Sequence, residues 1–220
     1  MSAAWPAAPK VEDATPSRAR RAWGKLPHEE RFRRQRRDLL RAAAKLAGRY
    51  GYRDTHVSQI VSQAGLSKST FYEHFQSKED CFVELYQRVS TAMLRAGIDE
   101  ADANSDRGPY ETVLAVMRAM TGYVAQNPRL ADVMREQISA SHPAIAEQRR
   151  ENHERTAELF ITLATRLGSP LNRTQLRLSA EVMMHGVIAV LPQLRKSDRF
   201  DANLKAIAKL VCRGLELEEE

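Results

Sequence analysis

The sequence is poor in the residues that mark several protein classes. Its only two cysteines, Cys81 and Cys212, lie far apart and in no metal-ligand spacing, so we expect buried thiols in a reduced cytoplasm. No apolar run approaches the roughly 18 residues of a membrane helix. The first thirty residues contain no apolar segment typical of a secretory signal. These absences argue against a disulfide-rich, membrane-spanning or secreted protein and favour a cytoplasmic one.

Motifs of common catalytic sites are absent as well. The chain contains no Gly-x-Ser-x-Gly, His-Glu-x-x-His, Walker loop or paired-cysteine motif. His142 and His153 have no partner at ligand spacing, and we interpret His185, within an apolar run, as a hydrogen-bonded interface residue. We therefore predict no catalytic residue, no metal and no cofactor. An enzyme with a helical active site is the weaker alternative, and turnover of a substrate would favour it.

Charge is distributed unevenly along the 220 residues. Residues 1–97 contain 18 Lys/Arg and 10 Asp/Glu, a net charge of +8, whereas the remaining 123 residues contain 16 and 18, a net charge of −2. A basic N-terminal half joined to a nearly neutral C-terminal half indicates a polyanionic partner for the first half only. A solvated basic surface is the alternative interpretation of the same charges.

Apolar periodicity predicts an all-α protein of about nine helices, with no alternating strand pattern and no internal repeat. The first helix begins after Pro27 and ends at Gly51. We expect Asp54 or Thr55 to cap a second helix, Ser67 a third and Ser77 a fourth. Breaks at proline and glycine delimit five more helices, roughly residues 110–126, 128–140, 143–167, 172–194 and 199–217.

The run AGLSKSTFYEHFQSKED at residues 64–80 sets two aromatic residues one helical turn apart among hydrogen-bonding side chains. Two short helices joined by a glycine turn fit a helix-turn-helix motif, whose second helix lies in the DNA major groove. Phe71 and Phe75 would anchor that helix, and its polar face would meet bases and phosphates. The predicted DNA contacts here are Thr55, Ser67, Lys68, Ser69, Thr70, Tyr72, His74 and Lys78.

An arginine-rich segment precedes these helices. Five arginines lie within residues 31–37, and we predict that Arg34 and Arg37 contact DNA phosphates or the minor groove. The chain has 26 Arg and 8 Lys, so a general arginine bias is the alternative. A basic helix around residues 29–41 could also bind anionic membranes, but it offers little apolar surface besides Phe32, Leu39 and Leu40.

The stretch YGYRDTHVSQIVSQAGLSKSTFYEHFQSKEDCF resembles the DNA-binding signature of the TetR family of bacterial one-component transcription regulators, over roughly residues 35–90. Val61 departs from the family pattern, which mostly has alanine there. The matching positions are Gly51, Thr55, Ile60, Ala64, Gly65, Ser67, Phe71, Tyr72, His74, Phe75, Lys78 and Glu79.

Composition predicts a disordered basic arm at residues 1–30, and the arginine-rich segment before the first helix is a further departure from the family pattern. The resemblance implies a helix-turn-helix DNA-binding domain (31–80) and a larger helical ligand-binding and dimerisation domain (81–220). It implies a homodimeric repressor that a small apolar ligand releases from a palindromic double-stranded operator. A transcriptional activator, or an architectural DNA binder without ligand, is the alternative. The predicted ligand contacts are Met117, Met120, Tyr123, Met134, Ile138 and Phe160.

The last two helices are predicted to form the dimer interface. Residues 180–194, AEVMMHGVIAVLPQL, are too apolar for a surface helix, and the small Gly186 and Ala189 would allow close helix approach. The alternative is that these residues complete the core of a single chain. On the last helix, the residues predicted to join this interface are Leu204, Ile207, Leu210, Val211 and Leu215.

Overall fold

The computed structural model describes residues 27–104, 106–126, 143–195 and 199–217, without the side chains of 123–126, 143–145, 188 and 191–195. These residues contain eight α-helices and no strand, which confirms the predicted all-α class. None of the eight is long and apolar enough to cross a membrane. The helices are α1 (His28–Tyr50), α2 (Val57–Ala64), α3 (Lys68–His74), α4 (Lys78–Ala103), α5 (Pro109–Gln126), α6 (Pro143–Arg166), α7 (Arg173–Arg195) and α8 (Phe200–Gly214).

The described residues form two compact units. Residues 27–88 and 143–146 belong to the first unit, and residues 89–126 with 147–217 belong to the second. The division falls within α4, eight residues beyond the boundary expected at residue 80. At the other end of the predicted DNA-binding domain, α1 begins at His28, so residues 28–30 of the expected arm are helical. The rest of that arm and the helix predicted at 128–140 lie outside the described residues.

An apolar stripe explains the length of α1. Two glutamates in its first turn, Glu29 and Glu30, carry negative charge where the helix dipole favours it. Gly51 follows the helix with a φ of 85°, a left-handed conformation that residues with a Cβ avoid. The buried residues follow a spacing of three and four and are Leu39, Leu40, Ala42, Ala43, Leu46 and Ala47.

Helix α2 starts later than its predicted caps. Its N-cap residue is His56, whose backbone N–H donates to the Gln59 side-chain oxygen at 2.7 Å. The prediction that Asp54 or Thr55 caps this helix is therefore wrong. Thr55 instead donates its hydroxyl to the Gly51 carbonyl at 2.7 Å, which closes the turn between α1 and α2.

The core of the first unit lies among α1, α2, α3 and the first turns of α4. Helix α1 packs on α2, and α2 packs on α3. Ser77 accepts a hydrogen bond from the Asp80 backbone N–H at 3.1 Å, and the Asp80 carboxylate accepts one from the Gln76 backbone at 3.0 Å, so α4 begins as predicted. The fully buried side chains here include Ile60, Phe71, Phe75, Cys81, Phe82 and Leu85.

The second unit has a separate core made by the end of α4 and by α5–α8. Helix α8 packs on α5 and α7, and Arg118 of α5 pairs with Asp201 of α8 at 2.7 Å. Gly168 ends α6 with a φ of 83°. Buried residues of this core include Val113, Val116, Ile161, Leu163, Ala164, Leu176, Ala180, Leu204, Ala208, Val211, Cys212 and Leu215.

The burial of residues on the last helix contradicts part of the predicted dimer interface. Leu204, Val211 and Leu215 are buried in the core of their own chain, so they are not available to a partner. Leu210 on the opposite side of α8 is 67% exposed. The apolar stripe of α8 is thus divided between a buried face and an exposed one, which spacing alone did not separate.

Candidate nucleic-acid interface

Helix α3 is held at its start by a side-chain cap. Ser67 accepts a hydrogen bond from the Thr70 backbone N–H at 3.0 Å, and the two hydroxyl oxygens lie 2.9 Å apart. The preceding Gly65 adopts a φ of 66° and ends α2 in the left-handed conformation. The predicted cap at Ser67 and the predicted glycine turn are both confirmed. Together they fix the direction in which α3 leaves α2.

Two aromatic rings anchor α3 from its inner side. Phe71 is 0% exposed and Phe75 is 1% exposed, and their ring centroids lie 5.4 Å apart. The rings of Phe32 on α1 and His74 lie 4.1 Å apart between centroids and are tilted by 45°, which brings the start of α1 next to the end of α3. The short helix therefore depends on packing for its position, because seven residues are too few to be stable alone.

The outer side of α3 carries polar groups in open solvent. Lys68 and Ser69 are exposed, Thr70 is half-buried, and Tyr72 is 58% exposed although its ring edge contacts Phe71. An ammonium, two hydroxyls and a phenol thus share one accessible surface. These groups have the hydrogen-bonding capacity to read base edges and phosphates. Their contact with DNA, and that of Ser67, stays a prediction.

Two of the predicted contacts are corrected by their burial. Thr55 is 0% exposed and His74 is 5% exposed, so neither side chain reaches the protein surface. Thr55 holds the Gly51 turn, whereas His74 packs between aromatic residues. The Nδ1 atom of His74 is buried and has no hydrogen-bond partner among the residues that the structure describes, and its Nε2 lies 3.4 Å from the Gln35 side-chain oxygen. Burial and the nearby Arg36 charge lower the pKa of His74, so the ring is neutral at pH 7.

Lys78 lies half-buried at the start of α4. Its ammonium donates to the Tyr52 carbonyl at 3.1 Å and lies 4.2 Å from the centre of the Tyr52 ring. The Tyr52 hydroxyl in turn donates to Glu79 at 2.8 Å, and burial together with that carboxylate raises the pKa of Tyr52. Sequence reasoning missed Tyr52, which fixes the position of the lysine although it is distant along the chain.

The arginines of α1 do not share one environment. Arg37 is exposed and Arg34 is half-buried, whereas Arg36 points toward α3 and α4 and pairs with Glu84. Phe32, Gln35, Arg36, Leu39 and Leu40 follow the spacing of the inner face, and Arg33, Arg34 and Arg37 lie on the other side. Arg34 and Arg37, the predicted DNA contacts, thus lie on a different side of α1 from Arg36. The sequence did not single out Arg36.

The predicted ligand contacts are only partly described. Met117 is 4% exposed within the core of the second unit, and Met120 and Phe160 are half-buried against that core. Tyr123 lies in α5 without a described side chain, and Met134 and Ile138 lie outside the described residues. The three described side chains therefore belong to, or pack against, the apolar core of the second unit.

His185 is paired rather than isolated. Its Nδ1 lies 2.8 Å from the Glu181 carbonyl, and its ring meets that of His153 edge to face, with centroids 5.4 Å apart. Burial, followed by the charge of His185, lowers the pKa of His153. Among the residues with described side chains, no group of three or more His, Cys, Asp or Glu could hold a metal ion.

Comparisons with known proteins match this geometry. The sequence profile described as "Bacterial regulatory proteins, tetR family" matches residues 39–85. The HTH-type transcriptional regulator TcmR of Streptomyces glaucescens is 27% identical over 168 residues, which cover 74% of this chain and 73% of TcmR. The HTH-type regulator YdgC of Bacillus subtilis is 48% identical over 50 residues, but these span only 26% of YdgC and 23% of this chain.

A solved structure extends the similarity in fold beyond the first unit. The Bacillus subtilis transcriptional regulator FadR, in complex with stearoyl-CoA, superposes with a TM-score of 0.65 at 20% sequence identity. The superposition covers 80% of this chain and 97% of the FadR chain. At this identity the similarity shows a shared fold alone.

Proposed function

Because this chain is a TetR-family transcriptional regulator, we propose that it is a homodimeric repressor that releases a palindromic operator when a small apolar ligand binds. The observation that carries the proposal is the division of α3 into two faces. Phe71 and Phe75 are buried, whereas Lys68, Ser69 and Tyr72 are exposed on the helix that a helix-turn-helix protein inserts into the major groove.

Phosphate contacts would come from the basic groups around α3. Arg34 and Arg37 lie on the outer side of α1, whose first turns contact the end of α3 through Phe32 and His74. Lys78 is held at the start of α4 and uses one of its three N–H donors for the Tyr52 carbonyl. These residues would set the register of the protein on the duplex, while α3 reads the sequence.

A dimer would place two copies of α3 in successive major grooves. Such grooves are roughly 34–36 Å apart, and a two-fold symmetric protein then reads a palindrome. Support for an interface comes from exposed apolar side chains on α7 and α8. Val182 is 64% exposed, Leu178 is 65% exposed and Leu210 is 67% exposed in the single chain. Such large apolar groups gain by burial against a partner.

A ligand would act from the second unit, where Met117, Met120 and Phe160 provide adaptable apolar contacts. Its proposed chemical class is apolar, because few charges lie among these residues. FadR, which shares the fold, was solved with stearoyl-CoA, and this supports an acyl compound among the candidates. By linkage, a ligand that weakens DNA binding must itself bind more weakly to the DNA complex by the same factor. The bacterial cytoplasm is the proposed location because the operator is there.

The test begins with duplexes that the wild-type protein enriches from a random-sequence pool. Fluorescence anisotropy with unrelated duplex as competitor should show specific binding to an enriched palindrome. Tyr72→Ala should remove that binding while helicity and dimerisation stay unchanged, because Tyr72 lies on the reading face and supports little of the core. Retained tight binding by Tyr72→Ala would mean that α3 is not the reading helix.

Tyr50→Ala is the matched control for the loss of an exposed aromatic side chain. Tyr50 is 45% exposed and ends α1 rather than lying on α3, so this variant should still bind the palindrome. Stearoyl-CoA and unconjugated apolar compounds are then titrated into the DNA complex to test release. A reporter under the same palindrome separates the repressor, whose loss raises expression, from an activator, whose loss lowers it.

A further inference from the structure

Arg36 binds groups on α3 and α4, whereas the ion pairs of Arg33 and Arg41 lie within α1. It lies one helical turn after Phe32 and one turn before Leu40, along the inner stripe of the helix. Its side chain is 28% exposed, compared with 72% for the neighbouring Arg33. A charge in this position needs partners that compensate for its loss of water.

Glu84 of α4 is the first of these partners. The Arg36 Nε atom donates to both carboxylate oxygens, at 3.1 and 2.8 Å, and Nη2 donates to the second oxygen as well. Arg88 donates to the other oxygen at 2.8 Å. Burial raises the pKa of Glu84, but the hydrogen bonds and charge of Arg36, with Arg88, outweigh it and hold that pKa below its usual value. The pair is therefore ionised and joins α1 to α4.

The end of α3 supplies the remaining partners. Arg36 Nη1 donates to the carbonyl of His74, the last residue of α3, at 2.5 Å. The guanidinium carbon also lies 4.4 Å from the centre of the Phe75 ring. A cation at this position satisfies a terminal carbonyl and complements the negative end of the helix. One guanidinium of α1 thus contacts both the end of α3 and α4.

We propose that Arg36 is a positioning residue for DNA recognition, which fixes the end of α3 against α1 and α4 and makes no DNA contact itself. The inference rests on the proposed function of α3 as the reading helix. Glu84 contributes to the same positioning, because its carboxylate orients the guanidinium of Arg36 toward the His74 carbonyl. Lysine cannot replace Arg36, since its single ammonium cannot bind the carboxylate, the carbonyl and the ring together.

Substitutions that change the charge in opposite directions distinguish this positioning role from a direct contact between Arg36 and a DNA phosphate. Arg36→Met removes a positive charge, and Glu84→Gln removes a negative one. If electrostatic attraction to DNA dominated, the first change would weaken binding and the second would strengthen it. Loss of positioning instead weakens binding in both variants. We expect a loss of about tenfold in each, in the middle of the range for residues coupled in one hydrogen-bonded network.

The experiment measures affinity for the enriched palindrome across a salt series, with Arg37→Met as the matched control from the same helix. Arg37→Met should reduce the slope of log K against log salt by about 0.9, the share of one phosphate. Arg36→Met and Glu84→Gln should leave that slope at its wild-type value while lowering the affinity. A slope reduced by about 0.9 in Arg36→Met, or tighter binding by Glu84→Gln, would overturn the proposal.

Amide hydrogen exchange provides a second test that needs no DNA and uses a variant expected to stay folded. Removing one member of a half-buried ion pair is destabilising, but removing both together leaves no unpaired charge. The double variant Arg36→Met/Glu84→Met should therefore stay folded, with faster amide exchange in residues 68–75 than in the wild type and unchanged exchange in α2. Unchanged exchange in residues 68–75 would overturn the proposal. If the wild type enriches no duplex, the proposed function fails, and the exchange result still decides whether Arg36 holds α3.

Discussion

Phe71 and Tyr72 are sequence neighbours with opposite roles, since one ring is fully buried and the other is 58% exposed. The same contrast separates Arg36 from Arg37 on α1. At the scale of single residues, function follows from which side of a short helix a group occupies. His74 illustrates the cost of burial, because its ring lies against Phe32 and Phe75 and no group in the described part of the chain forms a hydrogen bond with its Nδ1 atom.

The buried imidazole predicts a loss of stability in acid. Burial and Arg36 lower the pKa of His74 below its ordinary value of 6.5, so the unfolded chain takes up a proton more readily than the folded protein. Stability is then unaffected by this group well above pH 6.5 and falls as the pH drops from that value toward the folded pKa. Urea unfolding from about pH 8 to about pH 5.5 should show this decline, and His74→Leu should reduce it. Equal declines in both proteins would contradict the prediction.

At the scale of helices, close packing is concentrated where small residues allow it. Gly97 is buried in α4, and a Cβ atom there would lie 2.8 Å from Met120 Cγ and 3.1 Å from Leu159 Cδ2. Helix α4 thus approaches α5 and α6 closely within the second unit. For Gly122 of α5, a Cβ atom would meet no atom of the described residues within 4 Å.

These two glycines give opposite predictions for the same substitution. Gly97→Ala should lower the free energy of unfolding by about 1 kcal/mol, because overpacking exceeds the gain in helix propensity. Gly122→Ala should raise it by about 0.5–1 kcal/mol, since only the propensity changes. Denaturant unfolding of both variants against the wild type provides the measurement. Stabilisation by Gly97→Ala would mean that Met120 moves aside at no cost.

At the scale of the whole molecule, each unit has its own core and its own exposed surface that a partner would cover. The apolar side chains that α7 and α8 leave exposed belong to the second unit, and the basic and polar groups around α3 belong to the first. Because one reading helix contacts too little DNA to be specific, these two surfaces would serve one function only in a dimer.

Charges placed on the apolar surface should therefore separate the two copies. The double variant Val182→Glu/Leu210→Glu would bury two carboxylates per chain at the interface. The free-energy cost of burying these charges would exceed the gain from burying apolar surface, so we expect a monomer. Sedimentation velocity measures the mass, and operator affinity should fall with it. Ile98→Glu is the control, because Ile98 is 42% exposed on α4 and its substitution should leave the dimer intact. A dimeric double variant would place the interface elsewhere.

Local interactions explain what could be predicted from the sequence. Ser67 caps α3 three residues from its partner Thr70, Gly65 adopts the left-handed turn, and the four-residue spacing of Phe71 and Phe75 directs both rings inward. Each of these depends on neighbours within one or two helical turns. The all-α class, the helix-turn-helix and the family resemblance followed from such patterns, and the comparisons confirmed the family.

Tertiary structure alone decided which distant groups meet. Helical spacing places Arg36 on the inner side of α1 with Phe32 and Leu40. Its partners there, the His74 carbonyl 38 residues away and Glu84 48 residues away, depend on contacts between distant parts of the chain. Burial of Thr55 and His74, and of Leu204 on α8, likewise depends on helices that are distant along the chain. The helices and the caps at Ser67 and Ser77 were predictable from the sequence, because periodicity and short-range hydrogen bonds set them, whereas the cap of α2 lies at His56 and not at Asp54 or Thr55. The packing of those elements decided which side chains remain free to meet DNA or a partner.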